Sequence, residues 1–364
     1  MSEKVRVLII DDSAFNRRSL RHMLESNPDI KVVGAAVDGE DGLKKTSALK
    51  PDVITLDLEM PKMDGFTFLR ILMRTTPLPT IVISSKSDSE SVFKAMELGA
   101  VDFIQKPVKK ASMELYTIRE DVLKKVIHAR DVNLKNVQRR IADINVKLNL
   151  GIDAAVRPIV KVRGAKREDA GACTGFKLIA IGSSTGGPSA LQRIVSGLDS
   201  SQKVSVLISQ HMPAGFTNTF AQRLNKYTAF HVTEAQDGEP IRQGSILLCP
   251  GGYSMEIKAA NDRKEISLLP RQKDDRFIPS VNRMFASVAR EYGRMSAGVV
   301  LTGMGDDGKK GIEAIKDTGG YTIAESEETA VIFGMPREAI ATGKIDRVLP
   351  YYLISMELNR WAKG

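Results

Sequence analysis

The feature that most constrains the fold is a set of apolar runs that each stop abruptly at polar side chains. In the first third of the chain these runs lead to Asp11, Asp57, Ser84 and Lys106. Buried parallel strands read as continuous apolar runs, and the side chains that follow them meet at the carboxyl edge of the sheet. Helix-like stretches with apolar residues three or four positions apart separate the runs. The pattern predicts an α/β domain with a doubly wound parallel sheet.

A second series of strand-like and helix-like segments begins at Phe176 and predicts a second α/β domain of the same class. The chain has 364 residues, which is enough for two domains that each bury a core. Between the two series, a long polar-faced helix is expected from about Ser112 toward Leu150, followed by a segment without apolar periodicity. We therefore predict a first domain over residues 1–125, a helical and basic linker over 126–174, and a second domain over 175–364.

The composition is ordinary for a water-exposed globular chain, with 42% hydrophobic and 27% charged residues. No apolar stretch approaches the length of a membrane span, and the two Cys lack metal-site spacing, so a cytoplasmic protein without membrane insertion is expected. Much of the net charge of +9 comes from the segment between Lys124 and Asp169. Because that segment contains no aromatic residue, we interpret it as a solvated linker and expect no nucleic-acid partner.

Three carboxylates, of Asp11, Asp12 and Asp57, are expected at one sheet edge. Crowded carboxylates repel one another unless a cation neutralises them, and an oxygen-only set suits Mg²⁺. Asp57 could then accept a phosphoryl group, with Lys106 supplying a positive charge and Ser84 a hydroxyl hydrogen bond to the phosphoryl oxygens. For any one of these Asp residues, the simpler alternative is a helix cap.

The turn from Gly182 to Pro188, with the sequence G-S-S-T-G-G-P, follows the first strand of the second series. A glycine-rich turn between strand and helix can bind an anion on backbone N–H groups or expose a serine hydroxyl. The Gly-Lys-Ser/Thr ending of a phosphate loop is absent from this turn. Ser183 and Ser184 are therefore candidate nucleophiles, and a plain helix cap is the alternative.

His211 and Asp307 each follow an apolar strand of the second series, as the Ser183–Ser184 pair does. Side chains that leave parallel strands at the same edge can meet there. Serine, imidazole and carboxylate together support acyl transfer, in which imidazole takes the serine proton and the carboxylate orients the imidazole. A structural role for a lone His after a strand is the alternative.

The first 125 residues resemble a response-regulator receiver domain, most clearly in Leu56–Pro61 and in Met63-Asp64-Gly65. The resemblance implies that Asp57 is the phosphorylated residue. It also implies that Asp12, Asp57 and the carbonyl group of Glu59 are Mg²⁺ ligands, with Asp11 beside them. Ser84 stands where Thr is also common and keeps the hydroxyl group.

The second half resembles the chemotaxis protein-glutamate methylesterase/glutamine deamidase family through four motifs: G-x-S-T-G-G-P, Q-H-M-P-x-G-F-T, L-T-G-M-G-x-D-G and F-G-M-P-R-E-A. Members of that family carry a receiver domain in front, so the likeness spans nearly the whole chain. It implies that Ser184 is the nucleophile, His211 the base and Asp307 the third member, with Asp306 as a variable neighbour. Backbone N–H groups near Met304 and after Ser184 are oxyanion-hole candidates, and no cofactor is expected at this site.

The resemblance implies a phosphorylation-activated serine hydrolase that serves chemotaxis adaptation. A histidine kinase would phosphorylate Asp57, and the unphosphorylated receiver would cover the cleft at Ser184. The freed site would release methanol from glutamate methyl esters of chemoreceptors and would also deamidate receptor glutamines. The alternative is a non-enzymatic response regulator whose second half binds a partner or nucleic acid.

Two departures from the family pattern stand out. Ser183 occupies a position where Ala is common, which leaves two adjacent hydroxyl groups. The stretch Arg276–Asn282 resembles a segment that usually reads H-R-P-S-V-D, but Phe277 and Asn282 replace its His and Asp. We expect this second change to alter contacts at the substrate rim and to leave the Ser/His/Asp set untouched.

Overall fold

Two units, Met1–Asn145 and Val146–Gly364, make up the chain, and each is built on its own parallel sheet. The computed structural model describes residues 3–84, 89–106, 112–149, 175–260, 263–273 and 275–364. The segment expected to lack apolar periodicity, residues 151–174, lies outside the described residues. In the described residues, no helix combines the length and apolar character that crossing a membrane requires.

The first unit alternates strands and helices from its start. Its elements are β1 (Val5–Ile10), α1 (Ala14–Glu25), β2 (Ile30–Ala36), α2 (Gly39–Leu49), β3 (Val53–Asp57), α3 (Gly65–Thr75), β4 (Thr80–Ser84), α4 (Ser89–Glu97), β5 (Asp102–Gln105), α5 (Ser112–Ala129) and α6 (Leu134–Asn149). The strand order is β2-β1-β3-β4-β5, and every pairing is parallel.

The chain direction across this sheet reverses between β1 and β3, because β2 lies on one side of β1 and β3 on the other. Such a reversal leaves a crevice at the carboxyl ends of the two strands. Asp11 follows β1, and Asp57 is the last residue of β3. The fold therefore brings the predicted acidic residues to the place where open α/β sheets bind ligands.

The expected long helix after Ser112 is instead two helices, α5 and α6, separated by residues 130–133. The break has a local cause, since the Asn133 side chain accepts the Asn136 N–H at 3.3 Å and starts α6 as a cap. The helix α6 packs on the first unit, where Val137 is buried and the Gln138 amide donates to the Met73 carbonyl at 3.5 Å.

The second unit contains a larger parallel sheet with an added hairpin. Its elements are β6 (Lys177–Ser183), α7 (Gly187–Gly197), β7 (Val204–Gln210), α8 (Thr217–Asn225), β8 (His231–Glu234), β9 (Ser245–Leu248), β10 (Tyr253–Ala260), β11 (Arg263–Pro270), α9 (Val281–Tyr292), β12 (Ser296–Val300), α10 (Lys309–Asp317), β13 (Tyr321–Glu325), α11 (Met335–Ile340), β14 (Arg347–Leu349) and α12 (Tyr351–Lys363). The order of the large sheet is β14-β13-β12-β6-β7-β9-β8, with all pairings parallel.

Both large sheets confirm the predicted fold class of two doubly wound α/β domains. The second sheet also reverses its direction, here between β6 and β12, so the residues after these strands face the same crevice. The sequence analysis did not include the antiparallel hairpin β10–β11 or the helix α9 that follows it. Both pack on the core of the second unit, through Ile257 and Ile266 of the hairpin and Phe285 of the helix.

Candidate functional site

Ser184 lies in a sharp turn between β6 and α7. Its N–H donates to the Thr302 carbonyl at 3.0 Å, and its own carbonyl accepts the Gly187 N–H at 2.8 Å. Gly186 has a φ of 77°, a left-handed conformation that glycine adopts without steric cost. These contacts place Ser184 directly before the N-terminus of α7 and beside the end of β12.

The two adjacent serines of the turn have different environments. The Ser183 side chain is fully buried, and its hydroxyl donates to Gln210 Oε1 at 2.6 Å. The Gln210 amide nitrogen in turn donates to the carbonyls of Ser184, at 2.9 Å, and His211, at 3.1 Å. Ser183 therefore holds the orientation of the Gln210 amide, and that amide ties the backbones of Ser184 and His211 together.

His211 leaves β7 beside the serine turn, where its backbone N–H donates to the Ser183 carbonyl at 3.0 Å. Its imidazole is directed at Asp307, with 2.8 Å between Nε2 and Oδ2. Nε2 makes this contact, and Nδ1, the other ring nitrogen, takes no part in it. The structure thus brings two of the three predicted residues into direct hydrogen-bonding contact, and Gln210 links the third to them through the backbone.

Asp307 has a completely buried side chain that is held by the start of α9. Its Oδ2 accepts the Val281 N–H at 2.7 Å, and its Oδ1 accepts the Asn282 N–H at 2.9 Å. The Ser280 hydroxyl donates to Oδ1 at 3.4 Å. Free N–H groups of a helix N-terminus and their partial positive charge are well suited to a carboxylate.

The pKa of Asp307 results from opposing effects. Burial on its own raises the pKa, but the hydrogen bond from His211 and the backbone N–H groups of Asn282 and Val281 outweigh it. The pKa therefore lies below the ordinary value of 3.8, and the carboxylate is charged at neutral pH. A charged carboxylate accepts a proton-bearing Nε2 and so favours one tautomer of His211.

The neighbouring Asp306 has another environment, with a half-exposed side chain paired to Arg276 at 3.1 Å. The Arg276 guanidinium lies 4.9 Å from the centroid of the Phe277 ring. That ring stacks on the His211 imidazole with 5.3 Å between centroids and 7° between planes. Phe277 thus contacts His211 through its side chain, and Asn282 contacts Asp307 through its backbone N–H, which any residue at that position would supply. The expectation that these two replacements act at the substrate rim stays a prediction.

A second constellation lies at the crevice of the first unit. The side-chain oxygens of Asp11, Asp12 and Asp57 lie within 4.8 Å of one another. Lys106 Nζ is 2.5 Å from Asp57 Oδ2 and 3.8 Å from Asp11 Oδ2. The Lys106 backbone N–H also donates to the Ser84 carbonyl at 2.6 Å, which fixes the end of β5 to the end of β4. All five predicted residues with side-chain roles therefore lie at this edge.

The charges in this second constellation are not balanced. Burial raises the pKa of Asp11, and the nearby Asp57 carboxylate raises it further, against the opposing effect of Lys106. Three hard carboxylate groups that face one another are the donor set of an oxygen-liganded divalent cation. Asp11, Asp12 and Asp57 therefore fit Mg²⁺. Glu59, whose carbonyl group the resemblance adds to this set, has its N–H 3.4 Å from Asp57 Oδ1.

Comparison with known proteins matches two parts of the chain to two different family models. The model of the CheB methylesterase family matches residues 179–358, and that of the response regulator receiver domain matches residues 7–117. The protein-glutamate methylesterase/protein-glutamine glutaminase 3 of Geobacter sulfurreducens is 47% identical over 361 residues, which cover 98% of this chain and 96% of that protein. This chain belongs to the protein-glutamate methylesterase/protein-glutamine glutaminase family.

Other relatives agree with this assignment. The protein-glutamate methylesterase/protein-glutamine glutaminase 1 of Myxococcus xanthus is 47% identical over 352 residues, covering 96% of this chain and 95% of that protein. The crystal structure of the Thermotoga maritima CheB methylesterase catalytic domain matches with a TM-score of 0.50 and 39% identity, covering 51% of this chain and 98% of that one. The family resemblance found in the sequence motifs is confirmed.

The sequence analysis did not identify several residues that support the site. Gln210 directly precedes His211, and its position as the last residue of a buried strand was the available signal. The buried Glu325 accepts the Thr302 N–H at 2.8 Å and so supports the residue that holds Ser184. A charged side chain at the end of a buried apolar strand is the signal that could have identified Glu325, because an Asp or Glu is rarely fully buried without a partner.

Proposed function

We propose that this protein is a phosphorylation-activated protein-glutamate methylesterase that also deamidates glutamine side chains, with Ser184 as nucleophile, His211 as base and Asp307 as the residue that orients the base. The observation that supports it most is the His211–Asp307 contact of 2.8 Å at a fully buried carboxylate beside the Ser184 turn. Family membership supports the reaction type, and it disfavours the alternative of a non-enzymatic regulator.

Acylation begins with His211, whose Nδ1 takes the proton of the Ser184 hydroxyl as the oxygen attacks the ester carbonyl carbon. A bond forms between Ser184 Oγ and that carbon, and the carbonyl π electrons move to its oxygen. Asp307 accepts the Nε2–H and stabilises the imidazolium. Backbone N–H groups near Met304 and at the start of α7 are the candidates to hold the negative oxygen.

The leaving group departs with the proton held by His211. Collapse of the intermediate breaks the bond to the methoxy oxygen, which takes the imidazolium proton and leaves as methanol. Water then gives a proton to His211 Nδ1 and attacks the acyl-enzyme, and Ser184 leaves with that proton. The product is a glutamate side chain. With a glutamine side chain the same sequence releases ammonia in place of methanol.

The first unit supplies the control of this reaction in our proposal. The Asp57 carboxylate attacks the phosphorus atom of a phosphohistidine on a histidine kinase, so an O–P bond forms as the N–P bond breaks. Lys106 and the Ser84 hydroxyl then pair with the phosphoryl oxygens. Mg²⁺, held by Asp12, Asp57 and the Glu59 carbonyl with Asp11 beside them, would neutralise the negative charge of the transferred group.

The partners follow from this function. The substrates are glutamate methyl esters and glutamines of methyl-accepting chemotaxis receptors, and the phosphodonor is the chemotaxis histidine kinase. The unphosphorylated first unit inhibits the esterase, and phosphorylation at Asp57 relieves this inhibition. Because the receptor segments that carry these groups lie on the cytoplasmic side in this scheme, the protein acts in the cytoplasm.

The experiment that tests the assignment compares the two adjacent serines. Ser184→Ala should lower methanol release from methylated receptor membranes by a factor on the order of 10³ or more, with Asp57 phosphorylation intact. Ser183→Ala is the matched control. It removes one neutral hydrogen bond to Gln210, so its loss should stay below about tenfold. Retained activity in Ser184→Ala would end the assignment, as would equal losses in both variants.

A further inference from the structure

Phe277 covers one face of the His211 imidazole. The two rings are nearly parallel, with 7° between planes and 5.3 Å between centroids. This separation falls in the range in which aromatic rings attract one another beyond simple surface burial. The imidazole is thus restrained in two directions, by the Asp307 carboxylate in the plane of the ring and by Phe277 across its face.

The Phe277 ring is itself held in place by the loop that carries Asp307. A Cβ atom built on Gly305 would lie 3.1 Å from Phe277 Cζ, so the ring lies close against a backbone that has no side chain there. Gly305 has a φ of 86°, which also favours glycine. On the ring, the Arg276 guanidinium lies 4.9 Å from the centroid and pairs with Asp306.

The chemistry of the stacked ring suits a neighbour of a base. A phenyl group has no ionisable atom, so it cannot compete for the proton that His211 accepts. The face of an aromatic ring carries partial negative charge and attracts cations. An imidazolium formed during the reaction is therefore favoured beside Phe277. The charged groups near the two rings include Asp307 at the imidazole and Arg276, which pairs with Asp306, at the phenyl ring.

We propose that Phe277 is a positioning residue of the esterase site. It fixes the plane of the His211 imidazole so that Nδ1 faces the Ser184 hydroxyl, and its ring face supports the imidazolium. This role goes beyond the Ser/His/Asp assignment and rests on the proposed function. Phe277 stands in a segment that departs from the family pattern described in the sequence analysis.

The kinetic test uses the full chain with a small-molecule phosphodonor and methylated receptor membranes. Phe277→Leu keeps an apolar side chain but removes the ring, and it should lower kcat about tenfold with KM changed less than about twofold, because the group acts on the base and not on substrate binding. Phe277→Tyr keeps the ring and should retain kcat within about twofold. An unchanged kcat in Phe277→Leu, a loss confined to KM, or an equal loss in Phe277→Tyr would overturn the proposal.

A second measurement does not depend on esterase activity. Diethyl pyrocarbonate acylates imidazole nitrogens, and peptide mass spectrometry gives a rate for each of the four His residues of the chain. Phe277→Leu should raise the rate at His211 several-fold and leave His22, His128 and His231 unchanged. An unchanged rate at His211 would contradict the stack. This readout holds even where methanol release fails, so it separates the two proposals.

If Phe277→Leu misfolded, the acylation rates of all four His residues would rise together. A variant at the surface keeps the proposal testable in that case. Arg276→Ala removes the cation from the ring, and its side chain is 70% exposed, so the fold should be retained. We expect about a twofold higher acylation rate at His211 and a kcat reduced by about the same factor, since one restraint on the ring is lost. Wild-type values for both quantities in a folded Arg276→Ala protein would count against the role of the ring.

Discussion

The carboxylates of the two units have the same position in their sheets but opposite electrostatics. Asp307 and Asp11 both follow strands at the reversal point of a parallel sheet, and both are buried. Asp307 is surrounded by N–H groups and has a lowered pKa, whereas Asp11 faces other carboxylates and has a raised pKa. The charges at the proposed esterase site are therefore balanced by their surroundings, whereas the proposed phosphorylation site holds excess negative charge that a cation would balance.

The largest expected effect on this contrast comes from removing the negative charge of Asp307. Asp307→Asn should lower methanol release by a factor on the order of 10³–10⁴, because an amide no longer favours the Nε2–H tautomer or stabilises the imidazolium. Asp306→Asn is the matched control, since the half-exposed Asp306 side chain pairs with the exposed Arg276 side chain. Its activity should remain within a few-fold of wild type, and a comparable loss in both variants would contradict the distinction.

The second effect concerns the coupling of the two units. Asp57→Asn should abolish the rise in methanol release that a phosphodonor causes, while Ser184 chemistry continues at its basal rate. Removing residues 1–150 should raise the basal rate and make it independent of the phosphodonor, as release of an inhibitory unit requires. Steady-state methanol assays with and without phosphodonor measure both. A truncated, folded protein with unchanged or lower activity would break the proposed inhibition.

A third effect is the pH dependence of stability in the second unit. Because the pKa of folded Asp307 lies below 3.8, its stabilising contribution is present above that pH and is lost as the pH falls through the lower folded value. The free energy of unfolding of the wild type should exceed that of Asp307→Asn by about 2 kcal/mol at neutral pH, and this difference should shrink toward pH 3. Trp361, the one Trp of the sequence, lies in α12 and allows fluorescence-monitored unfolding of this unit. A stability difference that grows on acidification would contradict the lowered pKa of Asp307.

The smallest expected effect is on the stability of the first unit, where Asp11, Asp12 and Asp57 lie close together. Without Mg²⁺, Asp11→Asn should stabilise the first unit by about 1 kcal/mol, because it removes a repelling charge and keeps an oxygen for the Ser13 N–H. Asp12→Asn, at an exposed position, should stabilise it less. Amide hydrogen exchange of β1 and β3 reports on this unit. Added Mg²⁺ should stabilise wild type more than Asp11→Asn, and destabilisation by Asp11→Asn in a chelator would show that the charges are already balanced.

Strand periodicity was sufficient to predict the fold class and the sheet edge at which the acidic residues collect. The pattern of apolar runs predicted β1, β3, β6 and β7, and parallel pairing then places Asp11 near Asp57 and His211 near the serine turn. The Ser/His/Asp roles themselves stay predictions. The residues alone offered both Ser183 and Ser184 as nucleophiles, and the family resemblance favoured Ser184. The structure adds that the Ser183 hydroxyl donates to Gln210, which supports Ser184 without testing it.

Contacts between residues distant in sequence could not be predicted in the same way. The break at Asn133 depends on one side-chain cap that competes with an otherwise continuous helical pattern. The stack of Phe277 on His211 joins positions 66 residues apart, and nothing in the local pattern of either segment indicates it. Such contacts arise from the packing of loops on a finished sheet.

One stretch of chain, residues 275–282, touches both the face of the imidazole and the oxygens of the carboxylate, through Phe277 at one end and the Val281 and Asn282 N–H groups at the other. Because one peptide contacts both the proposed base and the carboxylate proposed to orient it, substitutions within this peptide are expected to change the surroundings of both at once. Transplanting this octapeptide between homologues is therefore a compact way to retune the proton-transfer pair without altering the serine turn.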